Sequence, residues 1–329
     1  MAAIASSDAS VRICLVTRSS SLASAVRFCC VAASPSPALP FILGFGRKTL
    51  SKMLAKVTRA SLPLRSARAL STVVEEEVRK FNAASSDWWK PRSTTGVGPL
   101  HQINPVRVKY IRSHVIEHFG SSSDDDPTPL RGLRVADVGC GGGILSEALS
   151  RIGGTMVSAD PGEDNIAAAK QHAALSRYTS SIDYRCCTSG EAALSSGVVD
   201  DLVAQGEQFD VVCSLEVIEH VSDVTAFLHS LTPLVKPGGL LFLSSINRTP
   251  LSAALAIGAA EYVMQIVPPG THDWNKFVRP SEIEAVLREE GLTVKDLSGI
   301  VGDPIFRSWR IHPTCTDINY VMCATKPQQ

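Results

Sequence analysis

A chain of 329 residues has room for one large domain or two small ones. Its apolar content of 44% and charged content of 19% suit a folded globular protein. The net charge of zero conceals an asymmetry: residues 1–74 carry ten basic side chains (Arg12, Arg18, Arg27, Arg47, Lys48, Lys52, Lys56, Arg59, Arg65 and Arg68) against one acid, Asp8, so residues 75–329 carry −9. An acidic body argues against a nucleic-acid partner, which would need a basic face.

The leader is rich in Arg, Ser and Ala and nearly free of acids, as organelle transit peptides are. From Met53 a second, self-sufficient version begins, with Lys56, Arg59, Arg65 and Arg68 spread through apolar residues in the manner of an amphipathic helix. We expect a mitochondrial transit peptide over residues 1–72, cleaved near 68–72, and a single domain over 73–329. Residues 1–52 are then an upstream extension, or Met53 is the start; a merely disordered tail is the alternative. Cys14, Cys29 and Cys30 lie in the leader. Cys140, Cys186, Cys187, Cys213, Cys315 and Cys323 form no C-x-x-C pair and read as reduced core or turn residues.

In the body, residues 75–89 have a helical pattern, and Phe81, Trp88 and Trp89 are placed to pack against or cover something. Residues 91–99, with a proline at each end, break it. A second amphipathic helix is expected over 105–119 with Pro105 in its first turn, followed by an acidic surface linker at 121–129. Strand signals then fall at 134–138, 155–159, 181–186, 209–214 and 240–246, and helix signals at 144–151, 164–174 and 221–234. A turn, Lys236-Pro-Gly-Gly239, precedes the last of these strands. A helix at 280–290, a strand at 292–297 and a last strand within 319–325 complete the chain. This alternation predicts βαβ units and a doubly wound, Rossmann-like α/β fold.

The organising stretch is Val135-Ala-Asp-Val-Gly-Cys-Gly-Gly-Gly-Ile-Leu-Ser146: a buried strand, a tight turn and a helix N-terminus. Glycines at 139, 141, 142 and 143 let a ligand approach main-chain N–H groups. The dinucleotide fingerprint G-x-G-x-x-G would need glycine at 144, which is Ile144. The pattern G-x-G-x-G with Asp137 just before it is instead that of S-adenosylmethionine-dependent methyltransferases. Asp137, Gly139, Gly141 and Gly143 are placed to face the methionine portion. Asp160, at the end of the second strand, is placed to accept from ribose hydroxyls, or else merely caps that strand. The loop Thr188-Ser-Gly-Glu191 is expected near adenine.

After the fourth strand comes Ser214-Leu-Glu-Val-Ile-Glu-His-Val221. If the backbone turns helically there, Glu216, Glu219 and His220 share one face. Two carboxylates and an imidazole could bind a divalent metal of the Mg2+ or Zn2+ type, or supply a general base; alternatively the acids cap or form ion pairs.

From Phe81 to Thr325 the chain resembles the ubiquinone-biosynthesis O-methyltransferases of bacteria and mitochondria. The resemblance rests on Leu100-His-Gln-Ile-Asn-Pro-Val-Arg107, the glycine motif, Leu215-Glu-Val-Ile-Glu-His-Val221, Val267-Pro-Pro-Gly-Thr-His-Asp273 and Asp317-Ile-Asn-Tyr320. It implies a class I methyltransferase fold, a mostly parallel seven-stranded sheet with an antiparallel last strand, plus N-terminal helices and an apolar helical insert. It implies donor contacts from Arg107, Gly139, Asp160 and Leu215, and metal contacts from Glu216, Glu219 and His220. It also implies methylation of ring hydroxyls of polyprenylated dihydroxybenzoates and demethylubiquinol, peripheral contact with the mitochondrial inner membrane on its matrix face, and a complex with other coenzyme Q biosynthesis proteins. A phenol with pKa of about 10 is short of ionisation at pH 7 by roughly 4 kcal/mol. A metal would lower that cost, or Glu219, His220 or His272 would take the proton. The main alternatives are N- or C-methylation of another small molecule, and an inactive scaffold subunit.

Residues 247–274 contain a long apolar insert whose one charge before the Gly-Thr-His-Asp segment, beyond Arg248, is Glu261. It is a lid over the active site, a surface helix dipping into a bilayer near the polyprenyl tail, or a transmembrane helix.

Overall fold

The computed structural model describes residues 10–13, 30–33, 73–93, 95–120, 125–186, 197–263, 268, 270–303 and 308–328. The chain divides into Met1–Arg68 and Ala69–Gln329. In the first unit, strands Ser10–Ile13 and Cys30–Ala33 pair antiparallel. The amphipathic transit helix expected from Met53 onward, the loop 188–191 and part of the linker 121–129 lie outside the described residues.

The second unit is built on an eight-stranded sheet. Its strands are β1 (Arg134–Val138), β2 (Thr155–Asp160), β3 (Asp183–Cys186), β4 (Phe209–Leu215), β5 (Val235–Ile246), β6 (Thr293–Asp303), β7 (Ser308–His312) and β8 (Asn319–Thr325), in the spatial order β3-β2-β1-β4-β5-β8-β6-β7. Strands β3 to β5 in that order run parallel, and β8 pairs antiparallel with both β5 and β6. The expected parallel sheet with an antiparallel last strand is present. The expected count of seven is corrected to eight, because β7 folds back antiparallel on β6 as an edge hairpin. Its register sets Trp309 against Gly302, where a Cβ would come within 2.9 Å of the ring.

Alternation along the strands explains why helices cover both faces. Ala136, Val138, Leu241, Leu243, Tyr320 and Met322 face one core with helices α5 (Gly197–Ala204), α6 (Val224–Leu231) and α7 (Pro280–Glu289). Their neighbours Val135, Leu240, Phe242, Val321 and Cys323 face the other, against α2 (Gly98–Phe119) and α3 (Ile144–Arg151). Sequential residues thus feed opposite cores, which is why Leu240-Leu-Phe-Leu243 is apolar throughout. Helix α4 (Glu163–Ala173) packs through Ile166, Ala169 and Ala173 near Tyr184 of β3.

Two local expectations are corrected. Helix α2 begins at Gly98, so Pro105 lies inside it and Pro99 takes the first turn. The reason is tertiary: Ile103, Asn104 and Arg107 are buried, and Asn104 Nδ2 donates to the Ile144 carbonyl at 3.1 Å, holding the segment in register despite the lost N–H. Strand β5 starts at Val235, paired with Phe209, and Lys236-Pro-Gly-Gly239 is a bulge before pairing resumes at Val211 with Leu240. At the N-terminus α1 (Glu75–Ala83) is followed by a 3-10 turn, Ser85–Asp87.

Candidate active site

The carboxyl ends of β1, β2 and β4 meet at the glycine turn. Asp137, buried one residue before the end of β1, accepts from Ser146 Oγ of α3 at 2.5 Å, tying strand to helix. Burial pushes its carboxyl up to about 6, against the pull of Ser146 and Arg107. At the end of β2, Asp160 accepts from Gly162 N at 2.8 Å and Asn165 Nδ2 at 3.0 Å on Oδ1, and from Gly141 N at 2.9 Å on Oδ2. Burial raises this carboxyl too. A carboxylate offers roughly four lone-pair sites, so Oδ2 has room for one further donor.

The N-terminal segment closes over the turn. Trp88 Nε1 donates to Asn165 Oδ1 at 2.8 Å, and Trp89 Nε1 donates to the Gly142 carbonyl at 3.0 Å. Trp89 stacks on His172 with ring centroids 3.4 Å apart, and His172 Nδ1 lies 2.6 Å from Glu147 Oε1. A Cβ on Gly141 would come within 2.3 Å of Trp88, so the close cover requires glycine there. Gly139 donates to the Ala159 carbonyl at 2.8 Å, and Gly143 is the left-handed cap of α3 beside the Tyr184 hydroxyl.

Among the described residues, two buried polar atoms beside this turn have no hydrogen-bond partner: Arg107 Nε and Asn82 Oδ1. A buried group that the chain leaves unpaired is open to a ligand or a water. Arg107 is 4% exposed; Asn104 Oδ1 and the Leu100 carbonyl hold its Nη2, and Glu216 and Asp137 are its opposing charges. The free Nε suits a carboxylate, Asp160 a ribose hydroxyl, and Asn82 Oδ1 lies beside Gly162 to accept from a second. These residues fit S-adenosylmethionine. Leu215, buried at the end of β4, completes the wall.

The acid–acid–histidine segment departs from the expected helical face. Glu216 takes φ 59°, a left-handed conformation that a side chain rarely adopts. Ser244 of β5 holds it: Glu216 N donates to Ser244 Oγ at 3.0 Å, and Ser244 Oγ donates to Glu216 Oε1 at 2.6 Å. Only Ile218–His220 turns, as a 3-10 helix. Glu219 accepts from Ser245 Oγ at 3.0 Å, while His220 Nδ1 lies 3.0 Å from Glu77 Oε2. Glu216 and Glu219 are therefore held by adjacent serines of β5, and His220 by Glu77 of α1. Among the described residues no group of three or more His, Cys, Asp or Glu side chains is arranged to hold a metal ion. The metal site expected at Glu216, Glu219 and His220 finds no support in this arrangement.

Glu219 and His220 instead line a cavity of about 210 Å³ together with His272, Glu77, Lys276 and Phe277. Glu77 is held down to about 2 by His220 and Lys276, against the cost of burial. Glu219 is pushed up to about 7 by burial. His272 Nδ1 meets Glu261 Oε1 at 2.9 Å, and burial lowers the imidazole. Thus the structure gathers Arg107, Asp137, Gly139, Gly141, Gly143, Asp160 and Leu215 around one turn, and Glu219, His220 and His272 around one cavity. Asn82, Trp88, Asn165, Glu77, Lys276 and Glu261 were not singled out as site residues by their local sequence. The available signals were Glu261, a lone acid in an apolar run, and Trp88, read as packing against or covering something.

Sheet order, glycine turn and strand-end acid define an S-adenosylmethionine-dependent methyltransferase. A family model described as a methyltransferase domain matches residues 110–297, more than half the chain. Magnesium protoporphyrin IX methyltransferase from Synechocystis PCC 6803, solved with bound SAH, shares the fold with TM-score 0.52 at 20% identity, over 77% of this chain and 99% of that one. The ubiquinone biosynthesis O-methyltransferase of Rhizobium etli is 43% identical over 259 residues, covering 79% of this chain and 98% of the relative. That of Cereibacter sphaeroides is 42% identical over 260 residues, covering 79% and 99%. The chain belongs to the ubiquinone biosynthesis O-methyltransferase family.

Two measurements check this geometry. Gly141→Ala should displace Trp88 and weaken S-adenosylmethionine binding at least about tenfold by calorimetry, a loss of roughly 1.4 kcal/mol; undiminished affinity would show that the cover is dispensable. For Glu219, a folded pKa near 7 lies above the model-peptide value of 4.5. Below pH 4.5 both states hold the proton and the group is neutral to stability. Between 4.5 and 7 the unfolded chain ionises first, so stability falls as pH rises, by about 1.4 kcal/mol per unit at most. Glu219→Gln should therefore gain on the wild type in denaturant melts across that window and match it at pH 4. A constant difference would mean Glu219 is ionised in the fold.

Proposed function

We propose that the chain transfers a methyl group from S-adenosylmethionine to a ring hydroxyl of polyprenylated dihydroxybenzoate and demethylubiquinol intermediates in ubiquinone biosynthesis. The observation that carries this reading is the adjacency of two half-sites. The glycine turn with Arg107 and Asp160 suits the donor. One loop further on, residues 216–220 lead into a cavity walled by a buried carboxyl and two imidazoles. The donor supplies an electrophilic sulfonium methyl. The protein's task is to align a ring oxygen with it and to remove that oxygen's proton.

Glu219, His220 and His272 can each accept a proton in the cavity, whereas Glu77 beside them is held low by His220 and Lys276. The roughly 4 kcal/mol deficit of a phenol at pH 7 is within what a positioned base offsets. Because Glu216, Glu219 and His220 are each engaged by other elements, no step is assigned to a metal ion. The test is turnover of a dihydroxybenzoate analogue with methyl-labelled donor: label should appear on a ring oxygen. Label on nitrogen or carbon acceptors instead, or none with any catechol, would sink this reading in favour of another methyltransferase or a scaffold.

We also propose mitochondrial import, with the body on the matrix face of the inner membrane beside other coenzyme Q biosynthesis proteins. The arginine-, serine- and alanine-rich leader supports it, as does a substrate whose polyprenyl tail lies in a bilayer. The apolar insert runs as an α turn, Pro250–Ser252, and a π-helix, Ala253–Val263. Among the described residues no helix is long and apolar enough to cross a membrane, whereas an exposed Ala254 beside partly exposed Leu255 and Ile257 suits shallow contact. Leu255→Asp with Ala254→Asp should reduce flotation of the full chain with anionic vesicles, and a mature N-terminus should fall near residues 68–72. Unchanged flotation would discard the contact, and a mature chain retaining residue 40 would discard the cleavage.

A further inference from the structure

Glu261 is completely buried within the apolar insert. Such a carboxyl is tolerated only where donors surround it. Three N–H groups do so: Gly270 N reaches Oε2 at 2.6 Å, His272 N reaches Oε1 at 2.7 Å, and His272 Nδ1 reaches Oε1 at 2.9 Å. Holding the loop would need only the two backbone donors. The third bond fixes the imidazole. With Oε1 accepting, Nδ1 is the protonated nitrogen and Nε2 keeps its lone pair.

The other two candidates in the cavity are committed differently. His220 Nδ1 faces Glu77, whose second oxygen takes Lys276 Nζ at 3.0 Å. Glu219 is 5% exposed and held by Ser245. His272 lines the same cavity with its side chain 19% exposed. The charged groups acting on it are Glu261 from the insert, His220 from the loop after β4, and Lys80 of α1, whose Nζ donates to the Thr271 carbonyl at 3.1 Å. Burial first, and then the neighbouring His220 and Lys80, favours the neutral ring that a base requires.

Resting on the function proposed above, we propose that Glu261 is a positioning residue that orients His272, and that His272 Nε2 is the base for the acceptor hydroxyl. As the oxygen's electron pair forms its bond to the donor methyl, the methyl–sulfur pair returns to sulfur and leaves a neutral thioether. The O–H bond breaks, the proton passes to Nε2, and Glu261 faces the resulting imidazolium until solvent takes the proton.

The test compares full-length wild type, His272→Asn, Glu261→Gln and the double variant, with labelled donor and a catechol acceptor. Asparagine keeps an N–H toward Glu261 but lacks Nε2. His272→Asn should lower kcat about 100-fold or more, leave acceptor KM and donor affinity within about twofold, and be partly rescued by added imidazole. Glu261→Gln should lower kcat about tenfold and move the acid limb of the kcat profile to lower pH, because an amide no longer raises the ring's proton affinity. In the His272→Asn background it should have no further effect on turnover. Equal Glu261→Gln losses with and without His272, or wild-type turnover by His272→Asn, would overturn the proposal. If Glu261→Gln melts without folding cooperatively, the His272→Asn loss and imidazole rescue decide alone. A wild type that methylates no catechol fails the proposed function itself; an active wild type with unaffected variants fails only this pair.

Discussion

Two backbone N–H groups and one side-chain amide converge on the carboxyl of Asp160, and the donor half of the site depends on that junction. Gly141 comes from the turn after β1, Gly162 from the end of β2, and Asn165 from the first turn of α4. Asn165 in turn holds Trp88, so a single buried acid connects two strand ends, a helix and the N-terminal cover. Burial alone would drive such a group toward its neutral form; the three donors oppose that and keep it available for hydrogen bonding. The cover is then a consequence of the junction. Trp88 reaches the turn because Gly141 and Gly142 present no side chain, and it stays because Asn165 takes its indole N–H.

The parts legible in the sequence are those set by local rules. Continuous apolar runs such as Leu240-Leu-Phe-Leu243 mark strands buried on both faces, and the spacing of Gly139 to Gly143 distinguished the methyl-donor turn from a dinucleotide turn. Asp160 was legible by its place at a strand end. What escaped was fixed by distant partners. The reading of Glu216, Glu219 and His220 as one helical face assumed regular φ angles, yet Ser244 on the neighbouring strand holds Glu216 in a left-handed conformation. Pro105 read as a helix start, but Asn104 and Arg107 are anchored in the interior and carry the helix back to Gly98. Strand β7 is five residues long and is defined by pairing with β6; with so short a run, periodicity carries little information. Trp88 and Asn82 gave no sign of what they touch, because their neighbours lie on the glycine turn and at the start of α4.

The two halves of the site handle charge in opposite ways. In the cavity, neighbouring carboxyls are driven apart: Glu77 is held ionised by His220 and Lys276, and Glu219 is pushed toward neutrality by burial. Separation of this kind lets chemically similar groups act differently in one pocket. Around the glycine turn, Asp137 and Asp160 are both raised by burial, and Arg107 faces the charges of Glu216 and Asp137. An uncharged ligand would leave this surplus of acid uncompensated. A sulfonium donor brings a positive charge into it and a carboxylate for Arg107, so binding the donor and ionising the acids favour one another. Once the methyl has left, sulfur is neutral and that mutual gain disappears. The arrangement that favours the sulfonium donor thereby holds less tightly a thioether product that keeps only its carboxylate and ammonium charges.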